Sequence, residues 1–363
     1  MPLARITLEN FRNHPRSELA KTAHFNLLVG ENGAGKTNVL EALSLLSPGR
    51  GLRRAGLGEL ARRAPEHAPD GSGFAIGASL IEQGEATARL GTYVEPARPN
   101  RRLVRINGAE ASASALSEWH AVSWLTPAMD GLFTDSAGAR RRFLDRMTLA
   151  IEPGHARAVS HYETALRERN RLLEENRDAR WLDAIEAQAA THGAQVSASR
   201  AALIARLSEE LGALPPEPFA RPELAYRPGG PMDACELAAT LARERRRDAA
   251  AGRALTGPHR DELEVIMAAK RVPAALCSTG EQKAMLIAIT LAHSYIAAEG
   301  RPSILLLDEV AAHLDPVRRE ALFARLAAGR AQVWMTGTEL APFEAMGADA
   351  AIWQVSAGLL TPL

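Results

Sequence analysis

The sequence predicts an α/β fold in which a mixed sheet is built from both ends of the chain, with a mainly helical lobe inserted between them. Three features carry that expectation. Near the start, the apolar run Phe25 to Val29 enters a Gly-rich turn and then an apolar-periodic helix from about Asn38 to Leu46. Near the end the alternation returns: a helix over Glu281 to Ala298, a strand over Ile304 to Leu307, a helix over Pro316 to Ala328 and a strand over Gln332 to Thr336. Between them, from about Pro127 to Leu214, Tyr162, Leu166, Asn170 and Leu173, then Leu203, Leu207 and Leu211, recur at helical spacing. The expected division is 1–125 for the first half of the head, 126–255 for the helical lobe and 256–363 for the second half of the head.

The remaining elements follow in order. Ile6 and Leu8 read as a strand, and short alternating segments between Phe74 and Ile106 read as antiparallel strands broken by Gly84, Pro96 and Pro99. Pro215, Pro216, Pro218 and Pro222 end the long helical run, because proline cannot continue a helix interior. A shorter helix is expected from Ala234 to Ala250.

With 363 residues, 46% of them hydrophobic, the chain exceeds a single average domain, and 5% aromatic content favours helices around a buried sheet over an aromatic-rich sandwich. Its 43 basic and 43 acidic residues cancel, so no global field draws in nucleic acid or membrane and any DNA contact must be a local patch. Cys235 and Cys277 stand far apart without metal-ligand spacing, which argues against a disulfide framework or a zinc site. The start lacks the apolar core of a signal peptide and no run of about 18 apolar residues occurs, so a soluble, cytoplasmic protein without membrane attachment is expected.

Gly30-Glu31-Asn32-Gly33-Ala34-Gly35-Lys36-Thr37, followed by Asn38, fits the phosphate-loop pattern in the required strand-to-helix context. Glycines let the backbone fold into a nest of N–H groups, and the following helix presents its positive end to the same anion. In such a loop Lys36 reaches the β and γ phosphates of ATP and the Thr37 hydroxyl serves Mg²⁺. Ile304 to Leu307 ends in Asp308 and Glu309, as a central parallel strand opening onto a ligand site does. Asp308 is expected to hold the metal and Glu309 to orient or deprotonate the attacking water.

Ser278 and Glu281 have capping-box spacing at the start of a helix, so capping alone could explain them. Three arginine groups stand out: Arg50, Arg53 and Arg54; Arg140, Arg141 and Arg142; and Arg243, Arg245, Arg246 and Arg247. The first two are candidates for DNA phosphate contact, although such runs are commonly solvated faces. None of the ten histidines shows metal-ligand spacing.

Ser278 to Lys283 lies where ABC-type ATPases carry their signature, and His313-Leu314-Asp315-Pro316 resembles their D-loop. That resemblance implies an ABC-type head in which Ser278, Gly280 and Asp315 contact nucleotide bound to a second copy, so that ATP holds a homodimer together. Two departures stand out: Glu281 occupies the usual Gln position, and Thr336-Gly337-Thr338 stands where a switch histidine would be. Several segments further resemble the RecF family of bacterial recombination mediators. They are Leu8 to His14, Gly30 to Asn38 with Leu40-Glu41-Ala42, Arg141-Arg142-Phe143-Leu144-Asp145, Tyr162 through Arg169-Asn170, Thr256-Gly257-Pro258-His259-Arg260-Asp261, and Ser278 to Lys283. The likeness spans the chain and implies a weak, DNA-stimulated ATPase whose ATP-driven dimer clamps duplex DNA at gaps and junctions, working with RecR and RecO to help load RecA. Arg12 and Asn13 either approach the nucleotide or simply form a turn.

A transporter-type ATPase subunit is a rival that would share Lys36, Ser278 and Asp308, a chromosome-structuring head is another, and a non-enzymatic DNA-binding scaffold is a third should Glu309 be idle. A transporter-type ATPase subunit carries far less chain between phosphate loop and signature. A chromosome-structuring head would need long heptad coiled coils that this chain lacks.

Overall fold

The structure is a computed structural model and describes residues 3–62, 73–82, 85–175, 179–215, 217–311, 314–347 and 349–363. Two compact units are present: Met1–Met129 with Thr290–Leu363, and Asp130–Ile289.

In chain order the first unit begins with β1 (Leu3–Phe11), β2 (His14–Ala20), β3 (Phe25–Val29), α1 (Lys36–Ser44), α2 (Leu57–Leu60), β4 (Phe74–Glu82), β5 (Glu85–Val94), β6 (Arg102–Ile106), β7 (Ala109–Ala111), α3 (Leu116–Trp119) and β8 (Ala121–Leu125). The second unit carries α4 (Ala137–Ile151), α5 (His155–Glu174), α6 (Ala179–Ala213), β9 (Pro222–Arg227), α7 (Ala234–Arg243), α8 (Arg245–Ala251), β10 (Glu262–Met267) and β11 (Val272–Pro273). Helix α9 (Thr279–Ala297) contains the boundary between the units. The first unit resumes with β12 (Ser303–Leu307), α10 (Pro316–Ala328), β13 (Gln332–Gly337), β14 (Ala351–Ser356) and β15 (Leu359–Pro362).

The first unit holds two sheets. One is antiparallel in the order β2-β1-β4-β5-β6-β7. The other is mixed, in the order β15-β14-β3-β13-β12-β8, and its five strands from β14 to β8 run parallel. Every residue of β3, β8, β12 and β13 is buried, which is why these segments read as apolar runs without alternation. Val39, Leu40, Leu43 and Leu46, in and just beyond α1, join Ile6, Leu8 and Ile76 of the antiparallel sheet and Leu306 and Trp334 of the mixed sheet in one core. The two ends of the chain do pair in one sheet: β3 lies between β13 and β14.

The second unit packs α5 along α6, with α7 against both through Tyr162, Ala165, Ala189, Ala190, Leu237 and Leu241. Beside these helices lies a small antiparallel sheet, β11-β10-β9. That sheet places 256–289 in this unit rather than with the rest of the second half of the head, since β10 pairs with β9 over its whole length. The single helix expected over Ala234 to Ala250 is two, broken at Glu244. The break brings Arg245 to Asp183 and Glu186 of α6, a tertiary pairing that periodicity does not contain.

Candidate functional site

The site grows from the carboxyl ends of β3, β12 and β13, neighbouring parallel strands in the middle of the sheet whose ends therefore open on the same side. Gly30 follows β3 and donates its N–H to the Gly337 carbonyl at the end of β13. The turn through Gly33 (φ 81°) and Gly35 (φ 116°) uses the left-handed region open to glycine, and α1 starts at Lys36. Glu31, Asn32 and Gly33 are exposed at the tip, whereas Gly35 and Lys36 are buried.

Much of the preceding hairpin serves this loop. Asn13 donates from Nδ2 to the Ala34 carbonyl at 2.9 Å and accepts from Asn38 Nδ2 at 2.8 Å. His14 Nε2 donates to the Gly35 carbonyl at 3.1 Å. Burial pushes the pKa of that imidazole below its ordinary value, against smaller opposing effects from the Gly35 and Gly358 carbonyls. The second brace comes from the turn between β14 and β15, where Gly358 gives its N–H to the same Ala34 carbonyl and its carbonyl accepts from Ser17. Arg12 forms a two-pronged pair with fully buried Glu41 of α1, and Arg53 joins Glu41 at 3.3 Å and Asn38 at 2.7 Å. Arg12 and Asn13 therefore do more than turn the chain: they lock the loop and its helix from behind.

Lys36 Nζ donates to the carbonyls of Gly30 at 2.6 Å and Glu31 at 2.9 Å. Its pKa is held below the ordinary lysine value by burial, partly offset by the charges of Glu309 and Asp308. Thr37 Oγ1 donates to Asp308 Oδ1 at 2.9 Å, so the two expected metal ligands meet. The carboxyl of Asp308 has its pKa raised by burial, opposed by hydrogen bonds from Thr336 and Thr37. Glu309 follows with φ 53°, its N–H bonded to Thr336 Oγ1 at 2.9 Å. A hydroxyl and a carboxylate are hard oxygen donors suited to Mg²⁺, which keeps several waters or phosphate oxygens in its shell. Among the described residues no group of three or more His, Cys, Asp or Glu side chains gathers, so the other ligands would come from phosphate and water. Lys36, Thr37 and Asp308 are thus brought together, with Glu309 beside them.

The other predicted residues make contacts of their own. Asp315 caps α10, accepting from the Arg318 N–H at 2.9 Å; neighbouring His313 lies outside the described residues. Within the second unit, Ser278 and Gly280 are exposed at the start of α9. The capping box is formed there: the Ser278 N–H bonds to Glu281 Oε2 and the Glu281 N–H bonds back to Ser278 Oγ. Pairing with Lys270 is the first cause drawing the Glu281 carboxyl down to about 2, ahead of its bonds to Ser278.

Of the arginines, Arg50 is exposed and lines a cavity of about 440 Å³ together with Arg102 and Asn100. Arg54 is exposed with φ 57°. Arg140 pairs with Glu262 at 2.7 Å and Arg141 donates to the Asp261 carbonyl at 2.9 Å, while Arg142 is exposed. Fixing two of these three inside the unit is a structural job that a bare arginine run does not reveal.

The family landmarks of the second unit are likewise structural. Arg200 is held by Asp145 and Asp261, and Arg169 by Glu186 and Asp248. Asn170 accepts from the Ala254 N–H, and Tyr162 donates to His259 Nδ1. Sequence reasoning gave no bracing role to Thr336, His14, Ser17 or Gly358. A buried threonine ending a parallel strand next to the Asp308 strand was the available signal for the first, and a glycine in a two-residue turn for the last.

A phosphate loop at the head of α1, acids at the end of β12 and an antiparallel sheet over the same core define a P-loop ATPase head of the kind shared by ABC-type and chromosome-structuring proteins. The family model for the RecF/RecN/SMC N-terminal domain matches residues 2–359. The DNA replication and repair protein RecF of Brucella suis is 48% identical over 99% of this chain and 96% of its own length. Its namesake from Mesorhizobium japonicum is 45% identical over 99% and 97%. A solved structure described as the recombination mediator RecF with ATP, in the RecFOR pathway, superposes with TM-score 0.84 at 21% identity, covering 99% of this chain and 97% of that one. The chain belongs to the RecF family of DNA replication and repair proteins. Among the described residues no helix is long and apolar enough to cross a membrane.

Proposed function

We propose that this chain binds ATP with Mg²⁺ and hydrolyses it slowly, and that ATP joins two copies into a clamp on duplex DNA. The observation that carries the nucleotide half is the convergence of Lys36, Thr37 and Asp308 under a braced Gly-rich loop. Lys36 already sits inside the loop, and exchanging two carbonyl partners for phosphate oxygens strengthens its bonds, because charge-assisted pairs are the stronger ones. Mg²⁺, when bound by Thr37 and Asp308, neutralises phosphate charge. Glu309, half-buried beside them, orients or deprotonates the attacking water.

The dimer half is supported by the exposed signature start: Ser278 and Gly280 face solvent within their unit, ready to meet the γ phosphate of a partner's nucleotide. Asp315, exposed at the start of α10, is assigned to the same junction. DNA contact is assigned to exposed Arg50, Arg54 and Arg142, with Arg53, Arg140 and Arg141 as anchored neighbours. By family membership the DNA is gapped or junction duplex, RecR and RecO are partners, RecA loading is the outcome and the compartment is the cytoplasm.

Light scattering with and without ATP·Mg²⁺ tests the switch, with a mass that doubles in ATP expected. Lys36→Met abolishes the ATP-dependent dimer, while Lys36→Arg keeps binding and loses turnover. A persistent monomer with nucleotide demonstrably bound, or ATP-driven dimers of Lys36→Met, would refute it. Duplex affinity in ATP falls steeply with added salt, as released counterions require, and salt-insensitive binding would remove the DNA half.

A further inference from the structure

The parallel register sets Leu307 opposite Met335, so the next residues, Asp308 and Thr336, face one another where the two strands end. Thr336 is 1% exposed, and its single hydroxyl is used twice: it donates to Asp308 Oδ1 at 2.8 Å and accepts from the Glu309 N–H at 2.9 Å. We propose that Thr336 is a positioning residue of the nucleotide site, its hydroxyl fixing the metal-binding carboxylate and the backbone of the water-activating glutamate at once. The inference rests on the ATP·Mg²⁺ reading given above.

Two features single out Thr336 from an ordinary buried threonine. First, Asp308 Oδ1 has two hydroxyl donors, Thr37 and Thr336, but only Thr37 is also assigned to the cation. When the Thr37 oxygen turns to the cation, Thr336 is the donor that keeps the carboxylate in place. Second, Glu309 holds φ 53°, a left-handed conformation unfavourable for a residue with a Cβ. The bond from its N–H to Thr336 stabilises that conformation and so aims the side chain. A β-branched residue suits the task because its χ1 is stiff, and a hydroxyl suits it because one group both donates and accepts.

The test compares Thr336→Val, which keeps the shape and removes the hydroxyl, with Thr336→Ser, which keeps the hydroxyl, in the full-length protein. Two measurements are made: binding of a fluorescent non-hydrolysable ATP analogue across a Mg²⁺ titration, and steady-state ATP turnover. For Thr336→Val the Mg²⁺ concentration at half effect rises about tenfold and kcat falls about ten- to a hundredfold, the size expected for losing a hydrogen bond to a charged group. Affinity without Mg²⁺ and KM for ATP at saturating Mg²⁺ stay close to the parent. Thr336→Ser restores both to within about threefold, since the donor is kept.

A folded Thr336→Val with parental Mg²⁺ response and kcat overturns the proposal, and so does a folded Thr336→Ser as impaired as the valine variant. If Thr336→Val does not fold, Thr336→Ala is judged by the same two outcomes. Failure of the parent protein to bind nucleotide overturns the site reading and this proposal with it. A parent that binds nucleotide, with Thr336→Val matching it in Mg²⁺ response and kcat, overturns only the proposal.

Discussion

Arg169 offers a sharp energetic test, because it is a guanidinium at 0% exposure held by two carboxylates and a carbonyl. Nε bonds Glu186 at 2.9 Å, Nη1 bonds Asp248 at 2.7 Å and Nη2 bonds the Leu241 carbonyl at 2.7 Å. Arg169→Met fills similar volume and leaves two buried acids without that partner, which costs about 3–5 kcal/mol for a broken buried pair. The acids are not equally stranded. Glu186 keeps Arg245, whereas among the described residues Asp248 keeps the Leu255 N–H, at 3.0 Å from its side chain. Adding Asp248→Asn to Arg169→Met should therefore recover about 2 kcal/mol, and adding Glu186→Gln should recover less. Urea unfolding followed by far-UV circular dichroism gives the totals, and hydrogen exchange in peptides over α5, α6 and α8 places the loss. Recovery by Glu186→Gln equal to or above that by Asp248→Asn would refute the reasoning, as would a loss under about 1 kcal/mol for Arg169→Met.

Three further outcomes are expected. Gly358 has φ 79° and a Cβ there would lie 2.1 Å from the Asn13 carbonyl oxygen, so Gly358→Ala destabilises by at least about 2 kcal/mol and weakens ATP binding, measured by thermal melting and analogue titration. His120 is 1% exposed with both ring nitrogens unpartnered among the described residues, and burial followed by the nearby Arg301 charge lowers its pKa from 6.5 to about 4. The unfolded chain takes up this proton first, so stability is full above about 6.5 and falls by up to about 3 kcal/mol as pH drops to about 4; His120→Leu flattens that window in pH-dependent urea titrations. Asn13→Leu removes the donor to Ala34 and the acceptor for Asn38, and lowers nucleotide affinity with a stability loss of about 1–3 kcal/mol, read by the same titration and melting.

What the sequence disclosed follows from how local each signal is. Phe25 to Val29 and Ile304 to Leu307 are strands buried on both faces, so an unbroken apolar run announces them and the motif residues at their ends come with them. Pro316 opens α10 and Pro215 follows the end of α6, because proline acts on its own neighbourhood. Strand β8 gave no such signal: Ala121 to Leu125 is short, and it is a strand because it pairs with β12, far away in sequence. The roles of Arg169 and Arg200 were likewise hidden, since a helix face cannot show that acids from α8, α4 and the stretch before β10 will meet it. Thr336 looked like a missing switch histidine. Its actual partners became visible only when register set it beside Asp308.

The same distinction explains why the head is split along the chain. A loop that cradles phosphate must keep its N–H groups turned inward, which requires its carbonyls to be held from the other side. Here Ala34 is held by Asn13 and Gly358, and Gly35 by His14, so both the opening hairpin and the closing one are needed. Ser17 joins these two braces directly through the Gly358 carbonyl. Each bond is worth only about 1 kcal/mol by itself, yet together they replace the flexibility of a Gly-rich turn with one arrangement made before nucleotide arrives. The cradle therefore forms only when the two ends of the chain have come together in the sheet, and the order seen at the phosphate loop is a property of the whole first unit rather than of the motif.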